Sequence, residues 1–337
     1  MLFAHYIHFF VGWTSGEKAI LLPAYGLLWP LYDHGGFGVN IFWTISGLIF
    51  FWKYRIPVEG GRVTGWEFFV LRFSRLYPLH LLTLVAVLCL QFLYYRVCGQ
   101  DFVYGNRDIF HFFLNVAFAS GWGVEAGHSF NGPIWSVSAE VVIYALFFML
   151  ASRFGLGGWT VAITAVMLFG CYKLTPLKSV ALAGIFFFAG GLCAGLSARL
   201  NSVRLSVVIP GLVVAGVAGT QLLLFFKLGK IATGGAICVS MSITLLALQF
   251  DRFGFSKWTT NIARQLGNLT YASYLVHFPI QLVFVIVTDS FAIPRENYSS
   301  PIMLLSWITV VLLFSFLTFK FLEVPSQRFI RKALIGR

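Results

Sequence analysis

Residues 131–148 read NGPIWSVSAEVVIYALFF, a turn signal followed by an apolar run that holds a single acid. Asn131-Gly132-Pro133 breaks any preceding helix, because proline lacks the amide hydrogen and clashes with the turn before it. The run continues to about Leu150, long enough to cross a bilayer. Glu140 lies in its first turns, flanked by Ser136, Ser138 and Tyr144. A carboxylate in such a segment costs roughly 2.5–3.5 kcal/mol to insert, so it normally faces a partner or a watery cavity. Ser136 and Glu140 share one helical face. The plainer reading is an interfacial acid snorkelling near a helix end.

Composition widens this to the whole chain. Of 337 residues, 58% are hydrophobic, 18% aromatic and only 11% charged. A soluble domain carries about 25% charged residues, so the chain reads as a polytopic membrane protein. Cys89, Cys98, Cys171, Cys193 and Cys238 form no C-x-x-C pair, and neither a zinc site nor a disulfide framework is indicated. The first residues, MLFAHYIHFFVGW, lack the basic start and small-residue cleavage site of a signal peptide, and read as part of a membrane helix.

Apolar runs bounded by charge, glycine or proline predict an all-α bundle of about ten transmembrane helices in a single membrane domain over 1–337. They fall near 1–13, 36–53, 68–95, 134–152, 158–174, 178–197, 203–226, 231–250, 268–288 and 300–322. The first is too short to span, as if truncated. Residues 108–121 suit a short interfacial or re-entrant helix, and Glu323 with Pro325 is expected to end the last one. With both ends cytoplasmic, the outer side holds only Lys18, Arg96, Arg107, Lys173, Lys178, Lys227, Lys230 and Arg295, 8 of the 24 basic residues. The other 16 are cytoplasmic, a two-to-one bias in the direction membrane insertion favours. Topology thus accounts for much of the +12 charge, and no nucleic-acid partner is expected.

Several stretches carry groups suited to chemistry. His5 and His8 lie three residues apart on one face; a neutral imidazole in a bundle can act as a base near pH 7 or simply join helices by hydrogen bonds. The pattern does not choose between the two. Asn40 opens a helix containing Ser46-Gly47, as a cap or a polar contact. Arg72 and Arg75, one turn apart and followed by Tyr77, Pro78 and His80, make an anion site suited to phosphates, or a positive-inside anchor. In GNLTYASYLVHFP, residues 267–279, Tyr271, Tyr274 and His277 recur at helical spacing and form a polar-aromatic face or a packed one.

In order along nearly the whole chain, six motifs resemble those of the acyltransferase family 3 membrane proteins. They are His5-Tyr6, Gly38-Val39-Asn40 to Ser46-Gly47, Arg75-Leu76-Tyr77-Pro78, Trp135-Ser136 to Glu140, Tyr271 to His277, and Glu323-Val324-Pro325. The resemblance implies transfer of an acyl group, most often acetyl, from acyl-CoA as a co-substrate to a hydroxyl of a cell-surface carbohydrate or lipid-linked sugar. It implies a bacterial inner-membrane protein with a cytoplasmic C-terminus, no bound cofactor and no metal. It favours His5 over His8 as base or acyl carrier, with Glu140 balancing its charge and Ser136 as the third catalytic residue. Arg72 and Arg75 would hold the donor phosphates. Tyr77, Asn40, Trp135, Tyr271, Tyr274 and His277 would line the substrate site. Two departures are visible: Asn40 stands where the family usually has Asp, and the family's Arg about three turns before the histidine precedes Met1. The expectation is therefore a functional start upstream of Met1. The other readings are a transporter or lipid-linked-sugar flippase, since intramembrane Glu, His and Arg also mark proton and anion paths, and an inactive relative.

Overall fold

The computed structural model describes residues 1–10, 21–200, 203, 205–225, 229–248 and 257–336. Among these the chain is mostly helical, with no strand beyond one isolated bridge between Asn106 and Ser129. The ends of the expected helices 1–13 and 231–250, and parts of 203–226, lie outside the described residues.

Among the described residues, five helices are long and apolar enough to cross a membrane: Gly65–Cys98, Gly132–Phe154, Lys178–Ser197, Arg264–Ser290 and Pro301–Ile335. The pair Tyr25–Asp33 and Phe37–Lys53, bent by 53° at their junction, makes a sixth span if taken as one. Gly158–Leu174, Val207–Gly219 and Gly235–Leu246 are shorter apolar helices. All but the first of the expected apolar segments thus recur as such helices.

The boundaries differ in instructive places. We number the helices α1 Leu2–Tyr6, α2 Tyr25–Asp33, α3 Phe37–Lys53, α4 Arg55–Glu59, α5 Gly65–Cys98, α6 Ile109–Val116 and α7 Trp135–Phe154. They continue as α8 Gly158–Leu174, α9 Lys178–Leu200, α10 Leu205–Phe225, α11 Gly229–Leu248, α12 Lys257–Ser290, α13 Pro301–Thr318 and α14 Val324–Ile335. The expected end at Glu323 and Pro325 is corrected. The chain widens through a π-helical turn, Phe319–Glu323, and runs on as α14. Pro325 sits just after this turn, where the backbone already departs from the regular α pattern.

The chain divides into two compact units. The first comprises Met1–Gly36, Gly65–Ser138 and Ala263–Arg337; the second comprises Phe37–Thr64 and Ala139–Ile262. In the second, α3 packs on α9 through backbone contact. A Cβ at Gly47 would collide with the Phe187 carbonyl, and one at Gly190 with the Thr44 carbonyl. Small residues allow this approach where lipid supplies no hydrophobic drive between helices. Around it Phe50 stacks on Tyr144 at 4.3 Å, with Phe147 and Phe187 edge-on, and the Ser46 and Tyr144 hydroxyls lie 3.3 Å apart.

Gly190→Val should therefore abolish folded protein, measured as the monodisperse fraction after detergent extraction, because two backbones must separate. Gly170→Ala on α8 is the matched control: a Cβ there meets nothing within 4 Å. It should be neutral or gain up to about 1 kcal/mol of helix propensity. Similar yields for both variants would contradict the reading of Gly190.

Candidate active site

The first unit gathers several of the sequence candidates. The opening segment has only five α-helical residues before tightening into a 3₁₀ turn, Ile7–Phe10. So short a helix needs tertiary anchors. Tyr6 donates to the Tyr298 carbonyl at 2.8 Å, and Phe9 stacks on the Tyr298 ring at 4.1 Å. Trp307, fully buried, packs against both Tyr6 and Phe9. Arg295 donates from Nη1 to the Phe9 carbonyl at 3.2 Å and grips Asp289 with Nε and Nη2 at 3.2 and 2.6 Å. It also donates to the Tyr94 hydroxyl at 2.8 Å.

Held this way, His5 lies with its ring 4.9 Å from that of His8 and 4.9 Å from that of His277. Gln281, one turn after His277, donates from Nε2 to the His5 carbonyl at 3.0 Å. Nδ1 of His5, Nδ1 of His8 and Nε2 of His277 are buried with no hydrogen-bond partner among the described residues. His277 Nδ1 sits 3.2 Å from the Ser273 carbonyl. A carbonyl only accepts, so in the neutral ring Nδ1 carries the proton and Nε2 keeps its lone pair. The helix itself thus leaves Nε2 as the acceptor nitrogen of His277.

A second line of polar groups adjoins it. The Tyr274 ring lies 6.1 Å from His277, and its hydroxyl donates to the Pro133 carbonyl at 2.6 Å while lying 2.7 Å from Ser136 Oγ. Asn131 donates to the Leu275 carbonyl at 3.0 Å, fixing the Asn-Gly-Pro turn against α12. Tyr104 covers Gly132 so closely that any Cβ there would strike its ring. The Tyr104 ring reaches His8 at 5.9 Å and His128 at 5.9 Å, and His128 reaches Trp135 at 6.0 Å.

Other candidates are placed elsewhere. Ser138 is structural: it takes the Gly121 amide at 3.1 Å and donates to the Phe118 carbonyl, tying a loop to α7. Tyr271 is buried and donates to the Leu76 carbonyl at 2.6 Å. Tyr77 stacks on Phe73 at 4.5 Å. Arg72 is half-buried, 6.0 Å over the Phe68 ring; Arg75 is exposed, and Glu323 is buried. Glu140, buried in α7, and Asn40, in the first turn of α3, belong to the second unit.

Sequence reasoning also missed Gln281, Tyr104 and His128. Gln281 had a signal, since it follows His277 by four residues on the same face. Tyr104 and His128 had none, lying in a connection between α5 and α7. That connection is pinned by Gln91, which donates to the Phe102 carbonyl at 2.8 Å and accepts from its amide at 3.1 Å. Among the described residues no group of three or more His, Cys, Asp or Glu side chains is arranged to hold a metal ion.

Comparison with known proteins gives one result that covers this architecture. The family model of acyltransferase family 3, described as an acyltransferase domain, matches residues 1–320. No significant relative emerges among curated proteins or among solved structures.

Proposed function

The chain belongs to acyltransferase family 3 and is a membrane acyltransferase; from this premise we propose that it moves acetyl, or another short acyl group, from acyl-CoA to a hydroxyl of a cell-surface carbohydrate or lipid-linked sugar. The observation that carries this reading is the pair of buried ring nitrogens on His5 and His277 that have no hydrogen-bond partner among the described residues, on rings whose centroids lie 4.9 Å apart.

An alcohol is a weak nucleophile at neutral pH and needs a base within hydrogen-bond reach. A histidine nitrogen takes the hydroxyl proton as the oxygen attacks the thioester carbonyl; the C–S bond breaks and CoA leaves as thiol after accepting a proton. His5 is that base or a transient acyl carrier, and His277 Nε2 is the second acceptor that can share the proton. Ser136 and Tyr274 present hydroxyls, and Trp135 an aromatic face, to the acceptor sugar. Glu140, an acid buried in α7 within the second unit, is the catalytic carboxylate expected from the sequence. Arg72 and Arg75 hold the donor's phosphates on the cytoplasmic side. The 16-to-8 division of basic residues supports that orientation and a cytoplasmic C-terminus; the bacterial inner membrane is carried over from the resemblance.

The test is transfer of label from radioactive acetyl-CoA into a membrane or glycan product in proteoliposomes. A new base-labile ester is expected. Movement of substrate without ester formation would instead favour the transporter reading. In the same assay Glu140→Gln, which keeps size and removes charge, should lower the rate at least about tenfold, or 1.4 kcal/mol. Full activity in a well-folded Glu140→Gln protein would remove Glu140 from the mechanism.

A further inference from the structure

The second unit contains a cavity of about 910 Å³ that none of the chemistry above uses. It is lined where α3 ends, α4 passes, α8 begins and α9 ends. Phe51, Ile56, Val161 and Leu196 make apolar walls; the Phe51 ring covers Gly191, whereas a Cβ at Gly195 would meet nothing within 4 Å, which leaves an apolar groove at that turn of α9. Arg55, Glu59 and Arg199 supply the charge.

The sign of that charge follows from the hydrogen bonds. Glu59 Oε1 already accepts from Arg55 Nε at 3.0 Å and from the Leu156 amide at 2.7 Å. The Arg55 contact involves only Nε, and its two Nη amines make no hydrogen bond among the described residues. With Arg199 the cavity holds two guanidinium groups against one carboxylate. Lys53, Arg153 and Arg199 lie in the last turns of α3, α7 and α9, on the side that the basic bias marks as cytoplasmic. Trp52, 80% exposed at the same end of α3, has the place of an interfacial aromatic.

A basic mouth on an apolar groove, opening beside the inner leaflet, suits an anion that carries its own hydrocarbon. Free phosphate or a nucleotide has no hydrocarbon to lay against the apolar walls beside Gly195. We propose that this cavity binds one anionic phospholipid, its phosphate held by Arg55 and Arg199 and an acyl chain lying in the α9 groove.

The test uses the purified full chain in phosphatidylcholine nanodiscs. Phosphatidylglycerol titrated into them should raise the melting temperature saturably, with one molecule retained in native mass spectrometry. Inorganic phosphate and CoA should not reproduce the effect. Arg55→Gln with Arg199→Gln should weaken lipid affinity about 30-fold, from roughly fivefold for each cation near the surface. Arg199→Gln alone leaves the Arg55–Glu59 contact intact and should weaken it about fivefold. Gly195→Leu probes the chain arm without a clash, since a Cβ there meets nothing within 4 Å; it should displace the lipid while leaving lipid-free stability unchanged. Equal stabilisation by phosphatidylcholine, unchanged affinity in the double variant, or competition by CoA or phosphate would each overturn the proposal.

Discussion

His277→Asn should cut acyl transfer by about 10²–10³-fold, and His5→Gln by 10²–10⁴-fold, while both proteins insert and melt near the parent temperature. Asparagine is chosen because its amide can still donate to the Ser273 carbonyl from the place of Nδ1, yet it offers nothing at Nε2. It therefore keeps the bond that anchors residue 277 and removes only the acceptor nitrogen. The two losses should not add: if one proton is shared across the pair, the double variant should resemble the worse single one. The measurement is single-turnover transfer from labelled acetyl-CoA, with donor binding measured separately. A His277→Asn enzyme at full speed would show that His277 only packs. A raised donor KM with unchanged kcat would make it a binding residue.

The second large effect is on stability. Arg295→Met should cost about 3 kcal/mol, because it leaves the Asp289 carboxylate largely buried without its counter-ion. Asp289 and Arg295 keep 17% and 19% of their side-chain surface, so the lower end of the range for a broken buried pair applies. The Phe9 carbonyl and the Tyr94 hydroxyl lose a donor in the same substitution. Adding Asp289→Asn should restore part of the loss, since no buried charge remains orphaned. Thermal melts in one detergent decide the matter, and an unshifted Arg295→Met melt would contradict it. Activity should fall with stability, because the short segment bearing His5 is held at its far end by these contacts.

Much of the fold was legible because lipid-spanning helices must be long and apolar, and such runs stand out in a sequence. What was not legible follows from local chemistry. Helix α12 begins at Lys257, eleven residues before the expected 268, because its first turns carry Lys257, Asn261, Arg264 and Gln265 and show no apolar run. Helix α2 was missed since Pro23, Gly26, Pro30 and Gly35 read as loop punctuation, yet Pro30 lies inside it. In the site, His5, Ser136, Tyr274 and His277 were readable as polar groups in apolar helices. The tautomer of His277 was not, because it depends on which carbonyl faces Nδ1. Nor could Ser138 be told from Ser136: two residues apart on one helix, one bonds a loop and the other faces Tyr274.

The widened turn at Phe319–Glu323 acts as a phase shifter. A π turn accommodates one residue more than an α turn, so everything after it is rotated by about 100° from where an unbroken helix would point. That rotation aims Arg331 Nε at Ser74 Oγ, 3.0 Å away, and brings the Leu334 carbonyl to the Trp66 indole at 3.2 Å. The basic tail is thus indexed against the start of α5 like a gear set one tooth over, and the angular offset, rather than the composition of the tail, decides which of its residues meet the entrance that carries Arg72 and Arg75.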